Sequence, residues 1–122
     1  MDQPFRVLIV DDHHLAREGI HSILSMDSSF DIVAEGRSGA EAIKLTEEWM
    51  PDLILMDINI PQMDGLEATK QIKEKFPYVK IVMVTVSDDI THLFEALKKG
   101  AQGYLLKNLS PNSWHEYLKL LL

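Results

Sequence analysis

The sequence predicts an α/β fold, a five-stranded parallel sheet covered by helices on both faces, and three observations predict it. Short apolar runs recur at residues 6–10, 31–34, 53–56, 80–84 and 103–106. Between them the apolar residues change from strand spacing to helical spacing. After a leading Arg6 and Lys80, the first and fourth runs are continuously apolar, as the third is throughout, and all three are rich in Val, Ile and Leu, as central strands buried on both faces require.

The elements follow in order. Ala16, Ile20, Ile23 and Leu24 stand at i, i+4, i+7 and i+8 after the first run, one face of a helix. After the second run, residues 39–50 form a weaker stripe of Ile43, Thr46 and Met50, ended by Pro51. After the third, residues 65–76 carry Leu66, Thr69 and Ile72, ended by Pro77. Ile90, Leu93, Phe94 and Leu97 mark the fourth helix, and Lys98-Lys99-Gly100 is its C-terminal signal. The fifth run is short enough for an edge strand. Ser110 then Pro111 reads as an N-cap and first-turn proline before a stripe of Trp114, Tyr117, Leu118 and Leu121. Alternating strands and helices imply parallel pairing, and right-handed crossovers leave few topologies.

The 122 residues suit one domain, residues 1–122. With no Cys, disulfides, thiolate zinc sites and thiol catalysis are excluded; a reducing, cytoplasmic setting is the expectation. No secretory signal and no bilayer-spanning apolar run is visible. The net charge of −7 makes this segment a poor partner for nucleic acid, whose phosphates are met by Lys and Arg. The chain stops on Leu120-Leu121-Leu122 inside a predicted helix. A linker and a further domain are expected beyond that point, because three terminal leucines would otherwise present apolar surface to water.

In doubly wound sheets, ligands bind beyond the carboxyl ends of the strands. There the sequence puts Asp11-Asp12 after the first strand, Asp57 after the third, Thr85 after the fourth and Lys107 after the fifth. Three packed carboxylates repel one another, and a hard divalent cation such as Mg²⁺ relieves that repulsion with oxygen ligands. A carboxylate can also act as a nucleophile and form an aspartyl-phosphate. Charge on a transferring phosphoryl group then needs the Lys107 ammonium, the Thr85 hydroxyl and backbone N–H groups after Asp57. Taken singly, each residue has a plainer reading. Asp11 or Asp12 would cap the first helix, Asp57 would start a turn, Lys107 would be solvated and Thr85 would be an ordinary strand residue. Their joint placement at four strand ends favours a site.

The runs Leu8-Ile9-Val10-Asp11-Asp12, Leu55-Met56-Asp57-Ile58-Asn59-Ile60-Pro61-Gln62-Met63-Asp64-Gly65, Val84-Thr85 and Gly103-Tyr104-Leu105-Leu106-Lys107 resemble, in order and over nearly the whole chain, the receiver domains of two-component response regulators. The resemblance implies a flavodoxin-like fold with strand order 2-1-3-4-5. It implies Asp57 as phosphoacceptor. Asp11, Asp12, Asp57 and the backbone carbonyl of Asn59 would be Mg²⁺ ligands. Lys107 would contact phosphoryl oxygens, and Thr85 and Tyr104 would be the switch pair. Asp11-Asp12-His13, Arg17-Glu18-Gly19, Thr85-Val86-Ser87-Asp88-Asp89 and the Tyr104 run are similar to the NarL/FixJ type, which implies a C-terminal helix-turn-helix output domain absent from this chain. DNA would then be met only through that domain. A sensor histidine kinase would donate the phosphoryl group, and self-association would follow.

Two departures stand out. Val86 replaces a small residue common in receivers, and Asn108 stands where an acid or Pro is usual. The five histidines show no metal-binding pattern. A small Mg²⁺-dependent phosphotransferase or phosphatase, and a degenerate receiver that only binds partners, are the competing readings. An enzyme would need a substrate-covering insertion, for which the chain shows no obvious segment; degeneracy would need missing site residues.

Overall fold

A computed structural model describes residues 3–60, 63–86 and 90–122. Within them strands and helices alternate as β1 (Phe5–Val10), α1 (His14–Ser25), β2 (Phe30–Gly36), α2 (Gly39–Trp49), β3 (Leu53–Asp57), α3 (Gly65–Lys75), β4 (Lys80–Thr85), α4 (Ile90–Lys98), β5 (Gly103–Leu106) and α5 (Pro111–Leu121). The strands form one parallel sheet in the order β2-β1-β3-β4-β5, the expected topology. Both β2 and β5 are edges. The second strand runs beyond the expected 31–34 because its ladder with β1 continues past a register shift, Val7 pairing Ile32 and Leu8 pairing Ala34. Val33 is the extra residue, a β-bulge on an edge strand.

The period-2 alternation of the strands divides the core into two layers. Leu8, Val10, Ile54, Met56, Ile81 and Met83 pack with Ala42, Ala68, Ile72 and Ala96 on the side of α2, α3 and α4. Val7, Ile9, Leu53, Leu55, Val82, Val84 and Leu105 pack with Ile20, Leu24, Trp114 and Leu118 on the side of α1 and α5. The central strands feed both layers, which is why they are apolar throughout rather than alternating.

Helix ends follow the sequence signals closely. The Ser38, Asp64 and Ser110 side chains accept from Glu41, Glu67 and Ser113 N–H groups at the starts of α2, α3 and α5. Gly100, at φ 104°, closes the α4 segment, a conformation that glycine adopts without strain. Met50 terminates α2 at φ 48°. It is 45% exposed and caps the helix instead of continuing its expected stripe; Ala42 and Thr46 are the buried positions.

The α4 stripe also differs from expectation. Phe94 and Leu97 are 56% and 47% exposed, and among the described side chains of the helix Ala96 is the buried one. A small side chain lets the helix backbone approach the sheet, which rotates the larger residues outward. The Ile90 side chain lies outside the described set. At the chain end, Leu121 and Leu122 pack against the α1/α5 layer and Leu120 is exposed; the triplet leaves less apolar surface in water than its sequence implies.

Candidate functional site

Two backbone features shape the rim where β1, β3, β4 and β5 end. After Asp57, the chain turns back so that the Gly65 N–H donates to the Ile58 carbonyl at 2.8 Å. A side chain at Gly65 would put its Cβ 2.2 Å from the Asp57 carbonyl oxygen, so only glycine permits this return. Between β4 and β5, the Lys107 N–H donates to the Thr85 carbonyl at 2.8 Å. That bond extends the ladder one residue past the strands and fixes where the lysine leaves the sheet.

Strand parity then orients the side chains. Asp11, Asp57 and Lys107 each follow, at a spacing of two, a residue of the α1/α5 layer: Ile9, Leu55 and Leu105. Thr85 shares the parity of Met83 on the opposite face. Tyr104 pairs Met83 in register and packs against that same layer. Asp11, Asp57 and Lys107 therefore leave the sheet on one side and Thr85 and Tyr104 on the other, and Asp57, Lys107 and Thr85 meet at its rim.

Asp11 is fully buried. Its Oδ2 accepts from the Lys107 ammonium at 2.6 Å, and its Oδ1 accepts from the His13 N–H at 2.9 Å. Lys107 lies 3.7 Å from Asp57 Oδ2. Asp57 is 5% exposed, and its Oδ1 accepts from the Asn59 N–H at 3.3 Å, so the turn-forming role and the clustered position coexist. Burial raises the Asp57 carboxyl above its ordinary value, and the Asp11 charge adds to this. Lys107 and the Asn59 N–H pull the other way, and Asp12 again pushes it up. Asp12 is the more open of the acids, its side chain 32% exposed.

The structure thus brings together Asp11, Asp12, Asp57, Thr85 and Lys107. His13, Ala16, Asp57, Thr85, Val86 and Lys107 line a cleft of about 340 Å³ that also reaches Asn59. Ligand atoms of Asp11, Asp12, His13 and Asp57 lie within 4.8 Å of one another. That donor set is mostly carboxylate oxygen and can hold a hard divalent cation. Neither Asp11 nor Asp12 caps α1, whose N-cap is His13 without a side-chain bond. Pro61, Gln62, Ser87, Asp88 and Asp89 lie outside the described residues.

Sequence reasoning missed two participants. His13 was set aside with the other histidines, yet its Nδ1 lies 3.0 Å from Asp12 Oδ1 and 3.3 Å from Asp11 Oδ1. Arg17 interrupts the expected α1 stripe but is 7% exposed. Its Nη1 donates to the Asp11 carbonyl at 2.7 Å, and its Nε lies 3.4 Å from Glu35. The Arg17-Glu18-Gly19 run was the available signal.

Comparison with known proteins settles the family. A family profile described as the response regulator receiver domain matches residues 7–119. The chain belongs to the response regulator receiver family. This receiver is 40% identical over 120 residues to the transcriptional regulatory protein DegU of Brevibacillus brevis, covering 98% of the chain and 51% of the relative. It is 44% identical over 116 residues to the response regulator protein VraR of Staphylococcus saprophyticus, covering 95% and 56%. The receiver spans about half the length of these relatives. Its fold matches the signal receiver domain of the response regulator NarL from Mycobacterium tuberculosis at a TM-score of 0.91 and 30% identity, covering 98% of each chain. It matches a LuxR-family two-component response regulator from Aurantimonas at a TM-score of 0.92 and 28% identity, covering 98% of this chain and 85% of the other. These relatives place it with the LuxR-family regulators of the NarL/FixJ type. Among the described residues no helix is long and apolar enough to cross a membrane.

Proposed function

We propose that this receiver takes a phosphoryl group onto Asp57 and uses it to reset the Thr85–Tyr104 side of the sheet. The observation that carries the reading is the buried Asp57 carboxylate beside Asp11 and Lys107, open to a cleft on one side. Asp57 supplies the nucleophilic oxygen. It attacks phosphorus in line with the donor's leaving atom, and an acyl phosphate replaces the donor bond.

The other residues have distinct tasks. Lys107 transfers its attraction from Asp11 to the phosphoryl oxygens. Thr85 turns its hydroxyl toward them, and the space it leaves is the space that Tyr104 enters. Asp11, Asp12, Asp57 and the Asn59 carbonyl would hold Mg²⁺, which neutralises charge on the transferring group. Asp57 and Lys107 emerge on the α1/α5 side while Thr85 and Tyr104 belong to the α4 side, so a charge change on one face biases packing on the other.

The donor is a phosphohistidine of a sensor histidine kinase, or a small acyl phosphate in its absence. The relatives, of which the matched spans are 51% and 56% and which are named as transcriptional or response regulators, support a C-terminal helix-turn-helix domain as the output. Self-association of phosphorylated receivers and DNA contact through that domain follow, in the cytoplasm. The chain turns over no metabolite; it assists only its own phosphorylation and dephosphorylation.

Incubation with acetyl phosphate and Mg²⁺ tests this by intact mass. One phosphoryl group is expected, with none on Asp57→Asn and none in excess chelator. Undiminished labelling of that variant would remove Asp57 from the role.

A further inference from the structure

Arg17 has no task in the phosphoacceptor reading, yet it is a buried cation of α1, 7% exposed. A charge withdrawn from water has to be paired and hydrogen-bonded. Its Nη1 donates to the Asp11 carbonyl at 2.7 Å, and its Nε stands 3.4 Å from Glu35 on β2. Asp11 is fully buried, so its carbonyl oxygen depends on a protein donor. The Asp11 N–H donates to the Gly36 carbonyl at 3.0 Å, and the carboxylate is held by Lys107 and the His13 N–H. Arg17 thus supplies the remaining restraint on this residue. The carbonyl belongs to the peptide that joins Asp11 to Asp12. A peptide unit is planar and turns as one body. Fixing its oxygen therefore fixes the Asp12 N–H and the direction in which the Asp12 side chain leaves the chain.

We infer that Arg17 is a positioning residue for the acidic cluster: through the Asp11–Asp12 peptide it holds the two carboxylates in the mutual orientation that Mg²⁺ requires. It touches neither the cation nor the phosphoryl group. The inference rests on the cluster being the receiver's Mg²⁺ site. Mg²⁺ tolerates little departure from ideal ligand geometry, so the direction of two adjacent acids matters to it. Glu35 holds the outer edge of the guanidinium. It pairs Ile9 in the β1–β2 ladder, which puts it beside the strand end that carries Asp11. A planar guanidinium serves both partners from one rigid fork, which a lysine ammonium cannot do. A plain tie between α1 and β2 would use the same contacts. It would lower stability and leave the ion affinity of the folded chain unchanged, and that difference separates the two roles.

Titration calorimetry with Mg²⁺ alone, on the unphosphorylated chain well below its melting temperature, tests the inference. Arg17→Met should weaken Mg²⁺ binding about tenfold, the scale on which residues that orient metal ligands act, and Arg17→Lys by less. Leu24→Val loosens the far end of the same helix at a fully buried position and should change the affinity by less than about twofold, since it orients no ligand. Labelling by acetyl phosphate gives the second readout. Arg17→Met should need about tenfold more Mg²⁺ for its half-maximal rate, with the rate at saturating Mg²⁺ largely kept. If circular dichroism shows Arg17→Met unfolded, Arg17→Lys carries the test with the same split between affinity and maximal rate. Unchanged Mg²⁺ affinity in a folded Arg17 variant, or an equal loss in Leu24→Val, overturns the inference. If the unsubstituted chain binds no Mg²⁺, the cation-site reading falls and this inference falls with it.

Discussion

Lys107 lies 2.6 Å from Asp11 and 3.7 Å from Asp57, so its ammonium hydrogen-bonds the buried neighbour of the proposed acceptor and stands at a longer ion-pair distance from the acceptor itself. The arrangement keeps a cation at the site while leaving an Asp57 oxygen accessible.

Removing that cation isolates the Asp11 charge. Asp11 is fully buried and Lys107 only partly so, and breaking a buried pair from one side typically costs about 3–5 kcal/mol. Lys107→Met should lower unfolding stability by about 3 kcal/mol. Adding Asp11→Asn should recover most of the loss, measured by urea denaturation without divalent ions. An equal loss in both backgrounds would show that the ion pair is not what Lys107 contributes.

The raised Asp57 carboxyl predicts a pH dependence. Its folded-state value lies above the unfolded one because of burial first and the Asp11 charge second. Between those two values the folded chain binds more protons than the unfolded chain, so stability falls as pH rises through that window. The stabilisation is complete below the ordinary carboxylate value and gone above the raised one. Asp57→Asn should flatten this slope and be more stable than the unsubstituted chain near neutral pH, as read from melting temperatures without divalent ions. A variant that melts lower at neutral pH and keeps the slope would contradict the assignment.

Asp27 shows the opposite sign. The Lys119 ammonium at 2.6 Å and the Ser29 N–H at 2.9 Å hold its carboxyl well below the usual range. Its contribution is present above the unfolded carboxylate value and is lost as pH falls through the folded one. Asp27→Asn should therefore reduce acid sensitivity, with a neutral-pH cost of about 1 kcal/mol or less because Lys119 is half exposed. An unchanged acid limb would count against the pair.

Gly65 tests the backbone of the site. Gly65→Ala would place a methyl group 2.2 Å from the Asp57 carbonyl oxygen and 2.9 Å from Ile58 Cα. Neither contact can be relieved by a side-chain rotation, so β3 and α3 must separate. A stability loss of about 3 kcal/mol and slower phosphorylation from acetyl phosphate are expected. Wild-type behaviour in both would mean that the loop adjusts freely.

Much of this was legible because strand parity and strand ends are local properties. Val7 to Val10 and Leu53 to Met56 could be little other than central strands, and Asp11, Asp57, Thr85 and Lys107 followed from where such strands stop. The α4 face was not legible, because Ala96 carries too little apolar signal to outweigh Phe94 and Leu97. Whether a helix approaches a sheet through its small residue or its large ones is decided by tertiary fit. Arg17 was hidden for a related reason: a charge is read as solvated, and its burial depends on the Asp11 carbonyl just before the helix and on Glu35 across the neighbouring strand. His13 was hidden because no metal-binding spacing of histidines includes it; its contacts are with the two acids just before it.

The central claim is that Asp57 itself carries the phosphoryl group. Borohydride reduction of the acetyl-phosphate-treated chain, followed by peptide sequencing in a mass spectrometer, reads the position directly, since an acyl phosphate is reduced to an alcohol and a free carboxylate is not. Homoserine at position 57 alone is the predicted result. Homoserine at position 11 or 12 with an unmodified Asp57 would contradict it.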